Sequence, residues 1–449
     1  MKEENKKPRA KDQKQKAVLI FGVGPLQKSI IGRAKKMGLY TVGIDPAADA
    51  TCRDEVDAFE VVGGQDFEGH CAVVEKYGID AIVTAATDKP LVMMARIAEI
   101  YGFPFFSVET AQWSTDKLMM KQRFIAGGVP HAKGITLSRE DISQLPLVIS
   151  HWPLAGDKDS QQPTANSQQL YYPVIVKPRD NSGSRGVKLC RNREELAASM
   201  SEAFEVSKLD TVLVEEFIEG PEYSIEALHY NAISHSPLAI SGNEPTANSQ
   251  QPRAKVIQFT EKKTTEFPYN VELGHIQPAN ISEENKSRIR EIVSKIGAAL
   301  HFENCPSHTE LKINNRGIFV IETSPRLGGD YITSTLTPLS TGVNMEDELL
   351  KISLGEKISP CPQSIQYSGV RFFAFEEGST IKHVPDVEFV KNWPQVVDFS
   401  FNLKEGDKVN RITSSLNRYG QLILQAGNRD AIEEAFDKYE SVIKETCLN

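Results

Sequence analysis

The chain has 449 residues, of which 40% are hydrophobic and 25% charged, with a formal net charge of −9 and an isoelectric point near 5.6. At about 150 residues per domain this length predicts three domains, and the acidic balance argues against a nucleic-acid-binding protein. No apolar run approaches the roughly 18 residues that a membrane span requires, and the Lys/Glu-rich N-terminus lacks the apolar core of a signal peptide.

The cysteines and histidines show no metal-binding or disulfide spacing. None of the six cysteines forms a C-x-x-C pair, and none of the nine histidines forms an H-x-x-x-H or H-E-x-x-H pattern. We therefore expect neither a zinc site nor a disulfide framework. A reducing, cytoplasmic location fits this cysteine usage.

A strand–turn–helix–strand unit follows residues 1–16, which lack apolar periodicity and are predicted to be a disordered tail. The strands are predicted at 17–21 and 40–44, with a helix at 27–37 between them. The Gly22-Val-Gly24 turn resembles a dinucleotide fingerprint, but Gln27 occupies the third glycine position. We therefore favour a structural βα turn over an NAD site.

The same alternation continues to about residue 108. Further strands are predicted at 59–62, 81–85 and 103–107, with helices at 66–77 and 90–101. Repeated βα units imply an open parallel sheet with helices on both faces. We therefore expect a Rossmann-like domain at residues 17–108.

Two low-complexity insertions interrupt the part of the chain that follows a predicted helix at 110–127. The apolar pattern is lost from 153 to 169, and the last seven residues of this stretch, Pro-Thr-Ala-Asn-Ser-Gln-Gln, recur at 245–251. Two separated copies cannot stack into a solenoid. We interpret the stretches at about 153–169 and 243–254 as loop insertions, in preference to a docking peptide.

Residues 172–190 are predicted to form a strand, a small-residue loop and a second strand. A β-branched run ends at Lys177, and Pro178 cannot continue a strand ladder. The loop at 181–186 is rich in Ser and Gly, so its backbone N–H groups can approach phosphate oxygens while Lys177 adds a charge. The Walker pattern is absent. We interpret the loop as a phosphate cradle, with a polar hairpin turn as the alternative.

The rest of the chain mixes strands and helices. Strands are predicted at 211–217, 223–229 and 256–262, and helices at 194–206, 282–301 and 345–354. From about residue 359 the pattern predicts strands followed by a helix at 429–443. This gives a small α+β C-terminal domain at 359–449 and leaves 109–358 as a central domain.

A predicted hairpin places two glutamates opposite each other. Strands at 309–314 and 318–323 flank a predicted three-residue loop at 315–317, and this register pairs Glu310 with Glu322. Like charges directly opposite destabilise a hairpin, unless a Mg²⁺ ion that holds nucleotide phosphates binds between them. The alternative is a solvated edge hairpin with Lys312 as counter-ion.

The same register predicts two faces for this hairpin. The apolar face would carry Leu311, Ile313, Phe319 and Ile321. The other face would carry Glu310, Lys312, Val320 and Glu322.

Taken together, these segments resemble the ATP-grasp superfamily from residue 17 to the C-terminal end. The resemblance implies α/β and α+β domains: a Rossmann-like pre-grasp domain, a nucleotide-binding domain of two α+β lobes at 109–358, and a small C-terminal α+β cap. Gly274-His275 and Arg326-Leu-Gly-Gly-Asp330 are similar to segments of the L-amino acid ligases and related carboxylate–amine ligases. Biotin carboxylase and the large subunit of carbamoyl-phosphate synthase are more distant resemblances.

The resemblance implies a set of ATP-binding residues. The phosphate-binding lysines would be Lys117 and Lys177. The flexible phosphate loop would contribute Ser182, Gly183, Ser184, Arg185 and Gly186. The hinge that contacts adenine would be Glu215, Glu216, Phe217 and Ile218, with Glu222 near the ribose.

The resemblance also implies the metal and catalytic residues. Glu310 and Glu322 would bind the metal, and Ser324 stands where the family has an asparagine ligand. Because a hydroxyl is a weaker oxygen donor than an amide carbonyl, one metal site is expected to be looser. Arg326 and Lys177 would act on the transferred phosphate, with His275 as a further catalytic residue.

The implied activity is the ATP-dependent joining of a carboxylate to an amine. ATP phosphorylates the carboxylate to an acyl phosphate, which the amine attacks to give an amide, ADP and phosphate. The expected cofactors are ATP and Mg²⁺ (or Mn²⁺), and the expected partners are small carboxylates and amines, amino acids among them, with no nucleic acid and no membrane. A homodimer is an expected assembly.

Three alternatives stay open. A bicarbonate-activating enzyme, similar to biotin carboxylase or carbamoyl-phosphate synthase, would use bicarbonate as its carboxylate. A non-catalytic ATP-binding protein is compatible with Ser324. A Rossmann oxidoreductase would bind NAD at the turn at 22–24.

Overall fold

The computed structural model describes residues 15–143, 149–151, 170–181, 183–230, 253–267, 269–363 and 366–449. The predicted N-terminal tail, apart from residues 15 and 16, and both copies of the heptamer lie outside these ranges. In the described part of the chain, no helix is long and apolar enough to cross a membrane.

The N-terminal part is a four-stranded parallel sheet with strand order β3-β2-β1-β4. Its strands are β1 (Ala17–Phe21), β2 (Tyr40–Asp45), β3 (Ala58–Val61) and β4 (Ala81–Val83), and its helices are α1 (Lys28–Lys36), α2 (Phe67–Tyr77) and α3 (Leu91–Tyr101). The prediction of an open parallel sheet is confirmed.

The predicted strand at 103–107 is wrong, since the described residues there form a loop. The aromatic residues that suggested a strand serve tertiary packing instead: Phe106 is buried and stacks on Phe105. Ser107 then accepts a hydrogen bond from the Thr110 backbone N–H and caps the next helix, α4 (Val108–Thr115).

The single helix predicted at 110–127 is two helices, α4 and α5 (Lys117–Ala126). Asp116 separates them because it adopts an extended conformation and its carboxylate accepts hydrogen bonds from the N–H groups of Leu118 and Met119. Arg179 holds the same carboxylate through Nε and Nη2. The break places Lys117 at the first residue of α5.

The next lobe is an antiparallel sheet with strand order β5-β10-β8-β9, covered by α6 (Arg193–Val206). Its strands, with the separate pair β6 and β7, are β5 (Gly134–Ser138), β6 (Ile149–His151), β7 (Leu170–Tyr172), β8 (Val174–Pro178), β9 (Lys188–Cys190) and β10 (Thr211–Glu216). The predicted strand–loop–strand is therefore confirmed as β8, the loop and β9.

The largest sheet has eight antiparallel strands in the order β15-β14-β11-β12-β13-β16-β18-β17. They are β11 (Glu222–Tyr230), β12 (Arg253–Thr264), β13 (Glu272–Gln277), β14 (Cys305–Asn314), β15 (Gly317–Ser324), β16 (Tyr367–Phe372), β17 (Val396–Phe401) and β18 (Gly420–Ala426). The remaining helices are α7 (Glu283–Leu300), α8 (Thr337–Thr341), α9 (Met345–Ser353), α10 (Val387–Lys391) and α11 (Arg429–Leu448). The predicted α/β and α+β class is confirmed, and the last three strands extend the sheet of the central part.

The β14–β15 hairpin keeps the predicted Glu310–Glu322 pair by a different route. Asn314 pairs with Gly317, so the loop has two residues and not three, and a β-bulge lies between Glu310 and Leu311. The bulge adds the residue that the shorter loop lacks. Glu310 therefore still stands opposite Glu322.

The predicted faces beyond the bulge are wrong for β15. Leu311 lies opposite Val320, and both side chains are buried, whereas Phe319 lies opposite Lys312. Because side chains alternate between faces, the one-residue shift exchanges Phe319 and Val320.

A buried carboxyl links the N-terminal part to the rest of the molecule. Glu346 on α9 is 1% exposed, and its Oε2 accepts a hydrogen bond of 2.5 Å from Ser29 Oγ on α1. Burial raises the pKa of Glu346 from 4.5 to about 7, against the opposing effects of Ser29 and Arg33. The α1–α9 contact is therefore formed around a carboxyl that prefers to be protonated.

This contact predicts a pH-dependent stability that Glu346→Gln removes. Because the folded-state pKa lies above the unfolded-state value, the protonated carboxyl stabilises the fold fully below pH 4.5, and this contribution is lost as the pH rises through 7. We expect the free energy of unfolding, measured with denaturant, to fall between pH 5 and pH 8. The fall should be roughly 3 kcal/mol larger for the wild type than for Glu346→Gln. Glu356→Gln, which changes an exposed carboxyl, should follow the wild type. Parallel pH profiles for wild type and Glu346→Gln would contradict the assignment.

Candidate active site

A pocket lies between the β5-β10-β8-β9 lobe and the eight-stranded sheet. It encloses about 810 Å³, part of it open to solvent. The predicted site residues that line it are Lys117, Lys177, Gly183, Ser184, Arg185, Glu215, Glu216, Phe217, Ile218, Glu222, Glu310 and Glu322. Of the other described candidates, Gly186, His275, Ser324 and Arg326 lie outside this lining, and Ser182 is outside the described residues.

One face of the eight-stranded sheet carries several of the charged side chains that line the pocket. Cross-strand partners point to the same side of a sheet. Glu310 pairs with Ser224 on β11 and with Glu322 on β15, while Lys262 on β12 pairs with His275 on β13. The register of five adjacent strands therefore brings together residues that are up to 100 positions apart in sequence, such as Glu222 and Glu322.

Glu310 and Glu322 each form an ion pair with a different lysine. Lys262 Nζ is 2.6 Å from Glu310 Oε1, and Lys117 Nζ is 3.0 Å from Glu322 Oε2. Burial raises the pKa of Glu310, but Lys262 and His308 outweigh it and hold that pKa well below 4.5. Likewise burial lowers the pKa of Lys117, and Glu322 more than restores it. Glu310 and Lys117 are therefore charged at neutral pH.

The acid pair fits a magnesium or manganese ion that is shared with phosphate. Among the residues that the structure describes, no group of three or more His, Cys, Asp and Glu side chains is placed to hold a metal. Mg²⁺ is commonly bound by one or two carboxylates plus phosphate oxygens and waters. Glu310 and Glu322 are such a pair, and they face the pocket.

Lys177 is fixed by a buried carboxylate. Glu215 forms ion pairs with Lys177 and, at 2.5 Å, with Lys121. Burial raises the pKa of Glu215, but the two lysines outweigh it and lower that pKa. Sequence reasoning assigned Glu215 to the adenine hinge and missed Lys121, although it lies one helical turn after Lys117. In the structure the Glu215 carboxylate positions both lysines.

The hinge side of the pocket is apolar. The rings of Phe217 and Phe267 meet edge to face at 5.2 Å, and Lys312 Nζ lies 5.4 and 5.9 Å from their centroids. Ile218 and Ile321 add aliphatic surface. This surface suits a flat heteroaromatic ring. Phe267 was not predicted as a site residue, because it lies in the loop between β12 and β13.

Arg326 is held by a residue of the N-terminal part. Asp88 Oδ1 accepts hydrogen bonds from Arg326 Nε, at 3.1 Å, and from the Ser324 hydroxyl. Burial raises the pKa of Asp88, but Arg326 and Ser324 outweigh it, so the carboxylate stays ionised. Asp88 follows β4, and ligand sites in open parallel sheets lie beyond such strand ends. That position was the available signal, and sequence reasoning missed it. The metal role of Ser324 stays a prediction.

His275 lies apart from the pocket, in a cluster with the C-terminal part. It is 2% exposed, and neither ring nitrogen hydrogen-bonds to a described residue. Its Nε2 is 3.6 Å from Asp330 Oδ2. Arg418 donates two hydrogen bonds, of 2.6 and 2.7 Å, to the Asp330 carboxylate. Asp330 therefore pairs with Arg418, and Arg326 pairs with Asp88.

Two family models match the chain. The D-Ala–D-Ala ligase C-terminus matches residues 139–323, and the L-amino acid ligase C-terminal domain 2 matches residues 371–444. Alanine–anticapsin ligase from Bacillus amyloliquefaciens is 25% identical over 317 residues, which cover 65% of this chain and 58% of that ligase.

Solved structures share the fold. The L-amino acid ligase from Bacillus licheniformis superposes with a TM-score of 0.73 at 18% identity, covering 96% of this chain and 98% of that chain. The biotin carboxylase domain of Hydrogenobacter thermophilus 2-oxoglutarate carboxylase, solved with MgADP, ADP and bicarbonate, gives 0.63 at 19% identity, covering 96% and 89%.

These similarities agree with the geometry of the site. The acid pair of β14 and β15 and the lysine-lined pocket fall within or beside the segment that the ligase model matches. Arg418, which pairs with Asp330, falls in the C-terminal segment that the L-amino acid ligase model matches. The fold is the ATP-grasp fold, as the sequence predicted. Residues 139–323 and 371–444 therefore match domains of carboxylate–amine ligases, and the chain shares the fold of the L-amino acid ligase.

Proposed function

We propose that the protein uses ATP to activate the carboxylate of an amino acid or a similar small acid and joins it to an amine. The observation that carries this proposal is that Glu310 and Glu322 line the same pocket as Lys117, Lys177 and the loop residues 181 and 183–185. This arrangement suits a nucleotide whose terminal phosphate lies between the acids and the loop.

The reaction has two steps. A carboxylate oxygen attacks the γ-phosphorus, the bond to the β–γ bridging oxygen breaks, and ADP leaves with both bonding electrons. The amine nitrogen then attacks the acyl carbon, inorganic phosphate leaves, and the nitrogen loses a proton. Such phosphoryl transfer depends on positioning and on charge stabilisation.

The residues of this chain divide these tasks. Lys177, held by Glu215, and Lys117 would neutralise phosphate charge, and Arg326, held by Asp88, would face the transferred phosphoryl group. Glu310 and Glu322 would hold a Mg²⁺ ion, which would supply positive charge to offset that of the phosphates.

The loop at 181–186 is suited to exclude water. An acyl phosphate hydrolyses in water, so the site must close during the reaction. Gly183 and Gly186 have φ angles of 66° and 75°, a left-handed conformation that glycine adopts without strain. A Cβ at Gly186 would also lie 2.8 Å from side-chain atoms of Pro178 and Val206. The loop therefore packs closely at its end and carries a small-residue tip over the pocket.

The relatives support the substrate class. Alanine–anticapsin ligase and the L-amino acid ligase are named for joining amino acids, and the structure of the biotin carboxylase domain holds MgADP and bicarbonate. ATP, Mg²⁺ and an amino acid are therefore the proposed ligands of this chain. Bicarbonate as the activated carboxylate is the second candidate, because that similar fold binds it.

Product analysis tests the reaction. Incubation with ATP, Mg²⁺ and a pool of amino acids and small carboxylates should yield ADP and phosphate. Hydroxylamine should intercept the acyl phosphate as a hydroxamate, and omission of the carboxylate should remove that signal. AMP with pyrophosphate would overturn the proposal. ADP formation that requires bicarbonate, without hydroxamate, would favour the second candidate.

Lys177→Ala should suppress ADP and hydroxamate together, because both products follow from one phosphoryl transfer. The expected loss is about 100- to 1,000-fold in kcat, the range for removing one charge-stabilising group. Lys188→Ala changes a more exposed lysine on the neighbouring strand, paired with Glu202, and should behave as wild type. Hydroxamate formation by Lys177→Ala at the wild-type rate would contradict its role.

Glu322→Gln should abolish turnover at ordinary Mg²⁺ concentrations and leave the circular dichroism spectrum unchanged, because one of two metal-binding charges is lost. The expected loss is about 100-fold or more. A Mg²⁺ titration of activity should shift to higher concentration. Glu291→Gln, an exposed change on α7, serves as control. Wild-type turnover in Glu322→Gln would refute the metal assignment.

Asp88→Asn should lower kcat and leave ATP affinity within a few-fold of wild type, because it releases Arg326 without touching the nucleotide pocket. Misplacement of a catalytic group by about 1 Å costs on the order of 100-fold. Lys89→Ala, at the exposed neighbouring position, is the matched control. An unchanged kcat in Asp88→Asn would show that Arg326 needs no such support.

A further inference from the structure

A buried lysine stands among three acids of the pocket. The Lys262 side chain is 2% exposed, and its Nζ lies 2.6 Å from Glu310, 2.9 Å from Glu222 and 3.4 Å from Glu272. The three acids come from β14, β11 and β13 and all line the pocket, whereas Lys262 comes from β12. Sequence reasoning singled out neither Lys262 nor Glu272.

The ammonium is held in place by ion pairs with all three carboxylates. Its removal would leave three acids close together without a counter-charge. Lys312 does not duplicate this contact, because its Nζ is 4.0 Å from Glu222 and lies between two phenyl rings.

Lys262 also selects one oxygen of Glu310. Both hydrogen bonds of the Glu310 carboxylate to described residues, from Lys262 at 2.6 Å and with His308 at 3.4 Å, involve Oε1. The other oxygen, Oε2, is then left for a metal. The partners of a ligating carboxylate fix its orientation and set its affinity for the ion.

The ammonium occupies the place that a hard cation would take among three carboxylates. Its nitrogen–oxygen distances run from 2.6 to 3.4 Å, whereas Mg²⁺–oxygen distances are about 2.1 Å. The three acids are not placed to hold a metal as they stand. Without the ammonium, their oxygens would have to move inward by about 0.5 to 1.3 Å to bind Mg²⁺. With the ammonium present, the cluster lacks room and charge for such an ion.

We propose that Lys262 is a positioning residue of the ligase site, which orients Glu310 and keeps a divalent ion from binding the Glu222–Glu272–Glu310 cluster without nucleotide. The metal then enters with the nucleotide phosphates, at Glu310 and Glu322. This inference rests on the proposed function, because it takes Glu310 as the metal-binding acid.

Lys117 and Lys262 differ in how readily they could exchange their partners for a phosphate. Lys117 Nζ contacts Glu322 and the carbonyl oxygen of Asn181, the first residue of the loop at 181–186. It can exchange these partners for a phosphate. Lys262 would have to leave three carboxylates, so it stays in place and acts through Glu310.

Equilibrium binding to Lys262→Met tests the proposal. Without nucleotide, the variant should gain a Mg²⁺ site in isothermal titration calorimetry, with affinity at least about tenfold above that of wild type. Its affinity for MgADP should fall by about 10- to 100-fold. A merely structural role would not create a new Mg²⁺ site. Lys262→Gln, which retains a hydrogen-bond donor without the charge, should give the same result if Lys262→Met does not fold.

Control variants test whether the gained Mg²⁺ binding depends on the lost charge of Lys262 and on its three acids. Lys263→Met changes the exposed neighbour on the opposite face and should bind Mg²⁺ and MgADP as wild type does. Lys262→Met/Glu272→Gln should lose the gained Mg²⁺ site, because one of the three acids is gone. Lys262→Arg should gain no site, because the charge is kept.

The outcomes distinguish this inference from the proposed function. No gain of Mg²⁺ binding in Lys262→Met and Lys262→Gln overturns the inference, even where the wild type binds MgADP and forms hydroxamate. A wild type that binds no MgADP, or that forms AMP, overturns the proposed function instead. A gained site that survives Glu272→Gln places the ion elsewhere and also overturns the inference.

Discussion

The pairing of Glu310 with Lys262 and of Glu322 with Lys117 allows two carboxylates to face each other across β14 and β15. Like charges directly opposite on adjacent strands repel, and buried charges without partners are costly. Each ammonium relieves both problems for its own acid. The two acids are therefore each neutralised by a lysine within the protein itself.

The same constraint explains why the site is assembled from several parts of the chain. Lys117 reaches the site because α4 and α5 are broken at Asp116, and Arg179 of the loop after β8 secures that break. Asp88 reaches Arg326 from the end of a strand in the parallel sheet. Movement of the N-terminal part would thus disturb Arg326. The fold therefore couples the orientation of Arg326 to the packing of the first hundred residues.

Three acids in the part of the chain that the structure describes hold cations in place. Glu215 holds Lys121 and Lys177, Asp88 holds Arg326, and Asp330 holds Arg418. In each case the carboxylate orients the cationic side chain. Groups that are oriented in advance are the ones that stabilise phosphoryl transfer. Glu346 is the exception, because burial at the α1–α9 contact raises its pKa more than Ser29 and Arg33 lower it.

The sequence by itself determined the alternation of strands and helices up to about residue 101, the parallel N-terminal sheet and the loop after Lys177, because each depends on local pattern. It also placed Glu310 opposite Glu322, but with a loop one residue too long, whose effect the bulge cancels. It misjudged the break at Asp116, which depends on a side-chain cap, and the hairpin faces, which a bulge shifted by one residue. Only the tertiary structure decided the partners of the charged groups. Lys262 meets Glu222 and Glu310 through strand pairing across 40 and 48 positions of sequence, and Asp88 meets Ser324 across 236 positions. Such contacts follow from how strands are ordered in a sheet and how sheets pack, and no local pattern of residues specifies them.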